Sequence, residues 1–347
     1  MTDTDPRLQQ LGVWLQRSPA APVARMEPAS ADASFRRYFR VWCTDGSTRI
    51  AMDAPPDKEA LAPFVHVARL LERCGAHVPH LESVDEAAGF ALMEDLGGTH
   101  FLAHLQSGAD PATLYGEALA ALRRIQLGGR ELQQELPRYD AVVLEREMRL
   151  MPEWFCGRHL QRVLDEDEQQ LIDATFAFLV REALAQPRVF VHRDYHSRNL
   201  MITPRRSPGI IDFQDALSGP VGYDLVSLLK DCYVSWPRAQ VERWLAEYRA
   251  ALILEGGAEL AGVDDAQFLR WFDLIGLQRH IKVLGIFARL WYRDGKSGYL
   301  ADLPLTLHYV RDTARRYPEL AAFSAWLEAR VAPLLAAANA REQESVA

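Results

Sequence analysis

The order of apolar and polar residues divides the chain into a strand-rich first part and a helical remainder. Apolar positions in residues 35–44 and 47–52 flank Asp45-Gly46, a pair that accepts the backbone angles of a tight hairpin turn. Apolar residues spaced three and four apart predict a helix capped by Asp57. That helix is expected to end near residue 73, and two further short strands are expected at residues 81–84 and 90–93.

Helical periodicity dominates after residue 98. Asp110-Pro111 is a cap followed by a first-turn proline, and it predicts a helix that ends near Gly128. The pattern from residue 223 onwards is helical throughout. The other predicted elements are a helix at residues 166–185 and short strands at 188–192, 200–202 and 209–211. We therefore expect an α+β fold in which a small strand-rich lobe precedes a large helical lobe.

Composition narrows the class of protein without identifying an activity. The chain has 347 residues, 49% of them hydrophobic, and a formal net charge of −8. An acidic balance disfavours nucleic acid as the main partner, because phosphate binding usually leaves a basic surface. The polar, acidic N-terminus and the lack of a long apolar run predict no secretory signal and no membrane span. The four scattered cysteines fit reduced thiols, so a cytoplasmic protein is expected.

Two segments carry the candidate chemistry: VHRDYHSRNL at residues 191–200 and IIDF at residues 210–213. They place Asp194, Asn199 and Asp212 on a loop and a strand end that the intervening turn folds together. Phosphoryl transfer uses this residue set, because one carboxylate orients the attacking hydroxyl while oxygen ligands hold Mg²⁺ on the phosphates. The H-R-D-x-x-x-x-N spacing also matches the catalytic loop of protein kinases.

Other interpretations of the same residues stay open. His192, Asp194 and His196 alternate along the loop and would suit the metal ligands of a hydrolase, although no matching cluster occurs elsewhere. His192 would otherwise brace the loop by hydrogen bonding or be an ordinary core histidine. Asp224 is expected to cap the next helix and to tie the loop down.

These motifs resemble those of the aminoglycoside phosphotransferase and choline kinase superfamily, a branch of the protein-kinase-like fold, over about residues 24–335. Within it, four segments resemble the bacterial kinases that phosphorylate the anomeric hydroxyl of N-acetylmuramate and N-acetylglucosamine during peptidoglycan recycling. These segments are ADASFRRYFR at residues 31–40, MDAPP at 52–56, MEDLG at 93–97 and QRHIKVLG at 278–285.

The resemblance implies a bilobal fold and a set of functional residues. A small antiparallel-sheet lobe at residues 1–93 would bind the nucleotide, a hinge would follow at 94–98, and a mainly helical catalytic and substrate lobe would span 99–347. ATP and Mg²⁺ are implied, with Asp194 as the catalytic base and Asn199 and Asp212 as the magnesium ligands. Glu94 and Leu96 would offer backbone groups to adenine.

The sequence departs from the family where the phosphates would bind. The strand that usually supplies a phosphate-pairing lysine reads IAMD at residues 50–53, and the loop at residues 30–37 lacks GxGxxG. We expect the backbone of that loop and the Ser34 hydroxyl to cradle phosphate. Arg36 or Arg37 would supply the missing positive charge, unless both are solvated strand residues.

A long helix at residues 271–293 provides candidate substrate contacts. One face carries a polar stripe with Gly285 as a gap, which suits a sugar with an N-acetyl group and a lactyl carboxylate. The alternative is a surface stripe at the edge of a buried helix. The stripe consists of Gln278, Lys282, Arg289 and Tyr292, and Tyr195 and Asp215 beside the catalytic motifs are further candidates.

The leading hypothesis is a kinase with a small amino sugar as substrate. A kinase of another small hydroxyl compound, such as an aminoglycoside, choline or homoserine, is the alternative in the same class. The missing lysine also leaves room for a catalytically weak ATP-binding regulator. A cationic substrate is disfavoured, because the helical lobe offers scattered acids such as Asp231 and Asp273 but no tight cluster.

Overall fold

The computed structural model describes residues 5–18, 22–31 and 35–346. The chain forms two compact units. The first comprises Met1–Gly129 and Arg198–Ala216, and the second comprises Arg130–Ser197 and Leu217–Ala347. The lobe boundaries expected at residues 93 and 98 stay a prediction, because these compact units do not show which residues bind nucleotide and which bind substrate.

The strands are β1 (Val23–Ala31), β2 (Arg37–Cys43), β3 (Thr48–Asp53), β4 (Leu81–Asp85), β5 (Phe90–Glu94), β6 (Arg188–Val191), β7 (Leu200–Met201), β8 (Gly209–Ile210) and β9 (Leu217–Pro220). The first five form one antiparallel sheet in the order β1-β2-β3-β5-β4. In the first unit β7 pairs with β8, and in the second unit β6 pairs with β9. The chain is thus α+β, as the sequence predicts.

The helices are α1 (Pro6–Leu15), α2 (Ala62–Arg73), α3 (Phe101–Gln106), α4 (Pro111–Gly128), α5 (Ala141–Met148), α6 (Glu166–Leu184), α7 (Tyr223–Leu229), α8 (Arg238–Leu254), α9 (Asp265–Asp294), α10 (Leu303–Ala314), α11 (Ala321–Trp326) and α12 (Ala332–Val346). Short π-helical segments occur at Met151–His159 and Leu327–Val331. The predicted cap of α4 is confirmed, because the Asp110 side chain accepts hydrogen bonds from two backbone N–H groups of its first turn.

The hairpin predicted at Asp45-Gly46 joins β2 to β3, and Gly46 adopts the positive φ of 84° that the turn requires. The sequence analysis missed β1, which contains Pro28 and lacks alternation. A proline is tolerated there because β1 lies at the edge of the sheet.

Helix α1 was also missed, and a buried carboxylate holds it to the sheet. Asp53, at the end of β3, is fully buried and accepts a hydrogen bond from Arg7 Nε of α1 at 3.1 Å. Arg37 Nε of β2 donates to the other Asp53 oxygen, also at 3.1 Å. Leu11 and Leu15 of α1 pack in the same apolar cluster as β2.

The expected start of α2 at Asp57 is wrong. The helix begins at Ala62, and Leu61 precedes it without a side-chain capping bond. Pro63 explains the later start, because a proline fits the first turn of a helix and lacks the N–H that an earlier start would use.

The core of the second unit surrounds α9. This helix is buried on nearly all sides between Trp271 and Ala288, where it packs against the Met151–His159 segment, α6, α7 and α10. Gly285 allows its closest approach, because a Cβ atom there would overlap the backbone of Leu150. The gap that the sequence suggested for a sugar is therefore filled by protein.

One helical stretch, Pro318–Glu342, has the length and composition of a membrane span. Buried core helices of soluble proteins share this length and composition, so one such stretch is weak evidence for a membrane span. Here Phe323, Trp326, Leu327 and Val331 of this stretch are buried in the apolar core of the second unit.

We predict that Gly285→Ala destabilises the protein by about 1–3 kcal/mol, because the added methyl group must displace the Leu150 backbone. Urea unfolding measures the change. Gly116→Ala on α4 is the matched control, since that site has open space and alanine is the better helix former by up to about 1 kcal/mol. Equal stability of the two variants would contradict the packing at Gly285.

Candidate active site

The loop at residues 192–197 leaves β6, and a buried carboxylate from α7 fixes its first residues. Asp224 is 0% exposed and accepts the backbone N–H of His192 at 2.7 Å and that of Arg193 at 2.9 Å. Arg193 has a φ of 79°, which an arginine rarely adopts. The two bonds to Asp224 hold this strained turn, so the expected tying role is confirmed, although the side chain does not cap α7.

A second buried carboxylate fixes the far end of the same loop. Asp231, just after α7, accepts the backbone N–H of Ser197 at 3.0 Å and its hydroxyl at 2.5 Å. Its other oxygen accepts the N–H of Tyr233 at 3.1 Å. Within the loop, the N–H of Asp194 donates to Nδ1 of His192 at 3.3 Å, so His192 braces the backbone. The loop is thus held from both ends.

Positive charges surround Asp194. Burial raises the pKa of its carboxyl group, but the charges of Lys282, His196 and Arg279 outweigh burial and hold the pKa below the usual value. The carboxylate is therefore ionised at neutral pH. It can accept a hydrogen bond from a substrate hydroxyl and take its proton late in a reaction.

A second buried acid, Glu147 of α5, balances part of this positive charge. It pairs with Lys282 Nζ at 3.0 Å and with the Arg193 guanidinium, and it accepts a hydrogen bond from Tyr139. Lys282 also donates to the Tyr223 hydroxyl at 3.1 Å. Burial raises the pKa of Glu147, yet the lysine and arginine lower it overall, so the acid stays charged.

The two predicted metal ligands lie together in the first unit. Asp212 has a φ of 63° and accepts hydrogen bonds from Asn199 Nδ2 at 3.2 Å and from Gln214 Nε2 at 2.9 Å. The backbone N–H of Ile211 donates to the Asn199 carbonyl at 3.1 Å, which fixes the strand end beside Asn199.

This donor set fits magnesium. A carboxylate and a carboxamide offer hard oxygen atoms, and Mg²⁺ usually takes one or two such protein ligands together with phosphates and waters. Among the described residues, no three His, Cys, Asp or Glu side chains group as a metal site of their own. His192, Asp194 and His196 therefore do not form the ligand set that a metal-dependent hydrolase would need.

Arg36 lies at the same place as the candidate metal ligands. Its guanidinium is buried, with Nη2 at 3.6 Å from Asp212 Oδ1 and Nε at 3.2 Å from Glu59 Oε1. Glu59 precedes α2, so an acid beside the helix holds the cation near Asp212. Protein kinases use a lysine from the sheet and a glutamate from the neighbouring helix in this way. Arg37 instead pairs with Asp53 and Asp5.

A family model described as the phosphotransferase enzyme family matches residues 25–263. The chain belongs to this family. It is 43% identical to the N-acetylmuramate/N-acetylglucosamine kinase of Pseudomonas aeruginosa, with 91% of this chain and 95% of the relative covered. The protein of the same name from Neisseria meningitidis serogroup B is 45% identical, with 86% and 88% covered.

Solved structures share the fold of this phosphotransferase. A choline/ethanolamine kinase family protein from Mesorhizobium loti has a TM-score of 0.62 at 16% identity, covering 96% of this chain and 99% of that chain. The GDP complex of aminoglycoside 2'-phosphotransferase-IIIa has a TM-score of 0.59 at 16% identity, covering 90% and 100%. At an identity this low, the structural similarity supports the fold alone. The GDP in the second structure shows that this fold can bind a nucleotide.

The segment predicted to contact adenine has a fixed backbone in this phosphotransferase. Arg40 forms a two-point ion pair with Asp95, and it also donates to the carbonyl of Gly97, which has a φ of 94°. The Glu94 side chain accepts the N–H of His80 at 3.3 Å, and Leu96 is buried. Ser34 lies outside the described residues.

The structure separates the predicted substrate residues. Gln278 and Lys282 are buried one turn apart on α9, whereas Tyr292 lies about 21 Å from Gln278 along the helix axis. Tyr292 contacts His159 at 3.2 Å, and Arg289 is half-buried nearby on the same helix. The stripe therefore runs from a buried part of α9 to a half-buried part, and the substrate roles of its four residues stay a prediction.

The two remaining candidates also differ in accessibility. Tyr195 is fully buried, with its ring edge-on to His192. Asp215 is exposed, and the Gln214 amide that donates to Asp212 also donates to it at 3.3 Å.

Sequence reasoning missed several residues that shape the site. In the first unit, Glu59 acts on Arg36 beside the candidate metal ligands. In the second unit, Glu147 and Arg279 act on the loop that carries Asp194, and Asp231 was considered only as one of several scattered acids. The segment QRHIKVLG was the available signal for Arg279, but this residue lies off the polar stripe from which the substrate candidates were taken.

Asp224 provides a prediction about pH. Burial raises the pKa of its carboxyl group from an ordinary 3.8 to about 7. The folded protein therefore retains a proton that the unfolded chain loses, so the stabilisation is complete below about pH 4 and is lost as the pH rises through about 7.

Asp224→Asn has no proton to lose, so the wild type should lose stability relative to this variant as pH rises, by at most about 1.4 kcal/mol per pH unit. Urea unfolding of both proteins at pH 5, 6, 7 and 8 measures the difference. A constant difference across this range would show an ordinary ionised carboxylate.

Proposed function

We propose that this chain is an ATP-dependent kinase that phosphorylates the anomeric hydroxyl of N-acetylmuramate and N-acetylglucosamine in peptidoglycan recycling, in the cytoplasm. The observation that carries the chemistry is the ionised Asp194 on a loop held by two buried carboxylates. The relatives named above, which cover most of this chain at 43–45% identity, support the choice of sugar.

Asp194 would act as the base. Its carboxylate accepts a hydrogen bond from the anomeric hydroxyl and aligns that oxygen with the γ-phosphorus of ATP. As the new O–P bond forms and the bond to ADP breaks, the hydroxyl proton passes to Asp194. The lowered pKa suits this role, because a loose transition state demands orientation first and proton transfer late.

Asn199 and Asp212 would hold Mg²⁺ through their side-chain oxygens. When bound, the metal neutralises charge on the phosphates. Arg36 would supply the positive charge that the sheet lacks, with Glu59 holding its guanidinium in place. The backbone of residues 30–37, the Ser34 hydroxyl, and the backbone groups of Glu94 and Leu96 would complete the nucleotide site.

Arg37 is a weaker candidate for the phosphates, because Asp53 and Asp5 already neutralise its charge. On the substrate side, Gln278 is favoured by its place next to the cations of α9. Lys282 would act through Glu147 and Tyr223, which it contacts. Tyr195, Asp215, Arg289 and Tyr292 stay candidates without a contact that favours them.

An uncharged or anionic acceptor suits this site better than a cationic one. The charges of Lys282, His196, Arg279 and Arg193 lower the pKa of Asp194, and they would also repel a polycationic aminoglycoside or a choline ion. A catalytically inactive regulator is disfavoured, because the three acidic and amide groups of the phosphoryl-transfer set are all present.

Asp194→Asn should lower kcat by about 10²–10⁴-fold, since the amide cannot take the proton, while affinity for Mg–ATP changes little. ADP release with N-acetylmuramate, N-acetylglucosamine, choline, homoserine and an aminoglycoside measures turnover and selectivity together. Wild-type selectivity for one of the last three would overturn the choice of sugar. Full turnover by the variant would remove Asp194 as the base.

Arg36→Gln should weaken ATP binding at least about tenfold, because a charge-assisted contact to phosphate is lost. Glu59→Gln should give a smaller loss, and Arg36→Lys should recover part of the affinity. Arg37→Gln is the control, with reduced stability but near-normal binding. Titration with a fluorescent ATP analogue measures each affinity. Unchanged binding by Arg36→Gln would contradict the proposal that Arg36 contacts the phosphates.

A further inference from the structure

Arg279 on α9 is a buried cation on which the charges of Asp194 and Asp231 act from beyond ion-pair distance. Arg279 is 5% exposed, and its Nη1 atom lies 3.8 Å from the Sγ atom of Cys232. No carboxylate forms an ion pair with it in the part of the chain that the structure describes. A guanidinium is always charged in proteins, and burying one unpaired is costly, so the arrangement indicates an anionic ligand.

The preceding residue, Gln278, has an uncharged side chain that is also buried and lacks hydrogen-bond partners among the described residues. Gln278 is 0% exposed, and neither its amide nitrogen nor its amide oxygen has a hydrogen-bond partner among the described residues. Buried polar groups are nearly always paired, and an unpaired one is destabilising. Two adjacent residues of α9 thus carry polar groups that the described protein leaves unsatisfied.

Arg279 lies beside the catalytic loop. Cys232, which its guanidinium contacts, directly follows Asp231, the carboxylate that holds Ser197 of that loop. Lys282, one turn further along α9, is already occupied by Glu147 and Tyr223, and Arg193 also pairs with Glu147. Of these three cations near the loop, Arg279 is therefore the one that forms no ion pair with a carboxylate in the described part of the chain, although the charges of Asp194 and Asp231 stabilise its charged form from a longer distance.

We propose that Arg279 binds the lactyl carboxylate of N-acetylmuramate and that Gln278 binds the N-acetyl amide common to both sugars. This inference rests on the proposed function. The acetamido group lies on the ring carbon next to the anomeric carbon, and the lactyl ether lies on the carbon after that. Consecutive residues of a helix point about 100° apart, so Gln278 and Arg279 would contact the sugar at two separate groups. A guanidinium takes a carboxylate through two parallel hydrogen bonds.

The consequence is a division of labour between the two residues. Gln278 would serve both substrates equally. Arg279 would serve N-acetylmuramate alone, because N-acetylglucosamine carries a free hydroxyl where the lactyl group would be. The wild type should accordingly have the lower KM for N-acetylmuramate.

The test compares both sugars and the methyl ester of N-acetylmuramate, whose side chain is neutral. In the wild type, the ester should have a KM at least tenfold above that of the acid. In Arg279→Gln, the KM for the acid should rise to that of the ester. Because Arg279 also acts on the charge of Asp194, kcat/KM should fall for both sugars, but at least tenfold further for N-acetylmuramate than for N-acetylglucosamine. Arg279→Lys, which keeps the charge but not the planar fork, should fall between the wild type and Arg279→Gln.

Gln278→Met should lower kcat/KM for both N-acetyl sugars by the same factor and leave the acid-to-ester ratio as it is in the wild type. Circular dichroism and binding of the fluorescent ATP analogue establish that each variant is folded. If Arg279→Gln does not fold, the wild type still tests the proposal through the KM of the ester divided by that of the acid. A ratio near one would overturn the proposal.

An equal loss for both sugars in Arg279→Gln would also overturn it, since Arg279 would then act only on Asp194 or on the phosphates. Failure of the proposed function would be distinguishable from failure of this inference, because the wild type would then phosphorylate neither sugar.

Discussion

The arrangement of this phosphotransferase depends on two buried carboxylates that hold one loop. Asp224 takes the N–H groups of His192 and Arg193, and Asp231 takes that of Ser197. Both acids come from α7 or the residues just after it, so one short, fully buried helix sets both ends of the loop. The strained backbone of Arg193 persists because these bonds define it, and the position of Asp194 follows from that backbone.

Charge balance around this loop explains the form of Asp194. Lys282 and Arg193 share Glu147, whereas Arg279 forms no ion pair with a described carboxylate and acts on Asp194 from a longer distance. The charges of Lys282, His196 and Arg279 keep Asp194 ionised in spite of burial. Under the proposed function, the same charges would disfavour a cationic substrate and favour a phosphate group or a carboxylate.

The sequence predicted the features that local spacing determines. The hairpin at Gly46, the cap at Asp110 and the candidate catalytic segment each follow from neighbouring residues, and the predicted α+β fold class is confirmed. It could not predict contacts that join distant segments. The closure of Gly285 by Leu150, the pairing of Arg36 with Glu59 and the docking of α1 through Asp53 arise only in the folded chain. Helix α2 starts later than expected because Pro63 overrides the cap signal at Asp57.

The position of the transferred phosphate tests the account most directly. Purified protein, Mg–ATP and N-acetylmuramate labelled with ¹³C at the anomeric carbon would be incubated together, and the product examined by ³¹P and ¹³C NMR. We predict one phosphorylated sugar whose phosphorus couples to the labelled anomeric carbon, with ADP formed in equal amount. Phosphate on any other hydroxyl, or ADP formed without a sugar phosphate, would contradict the account.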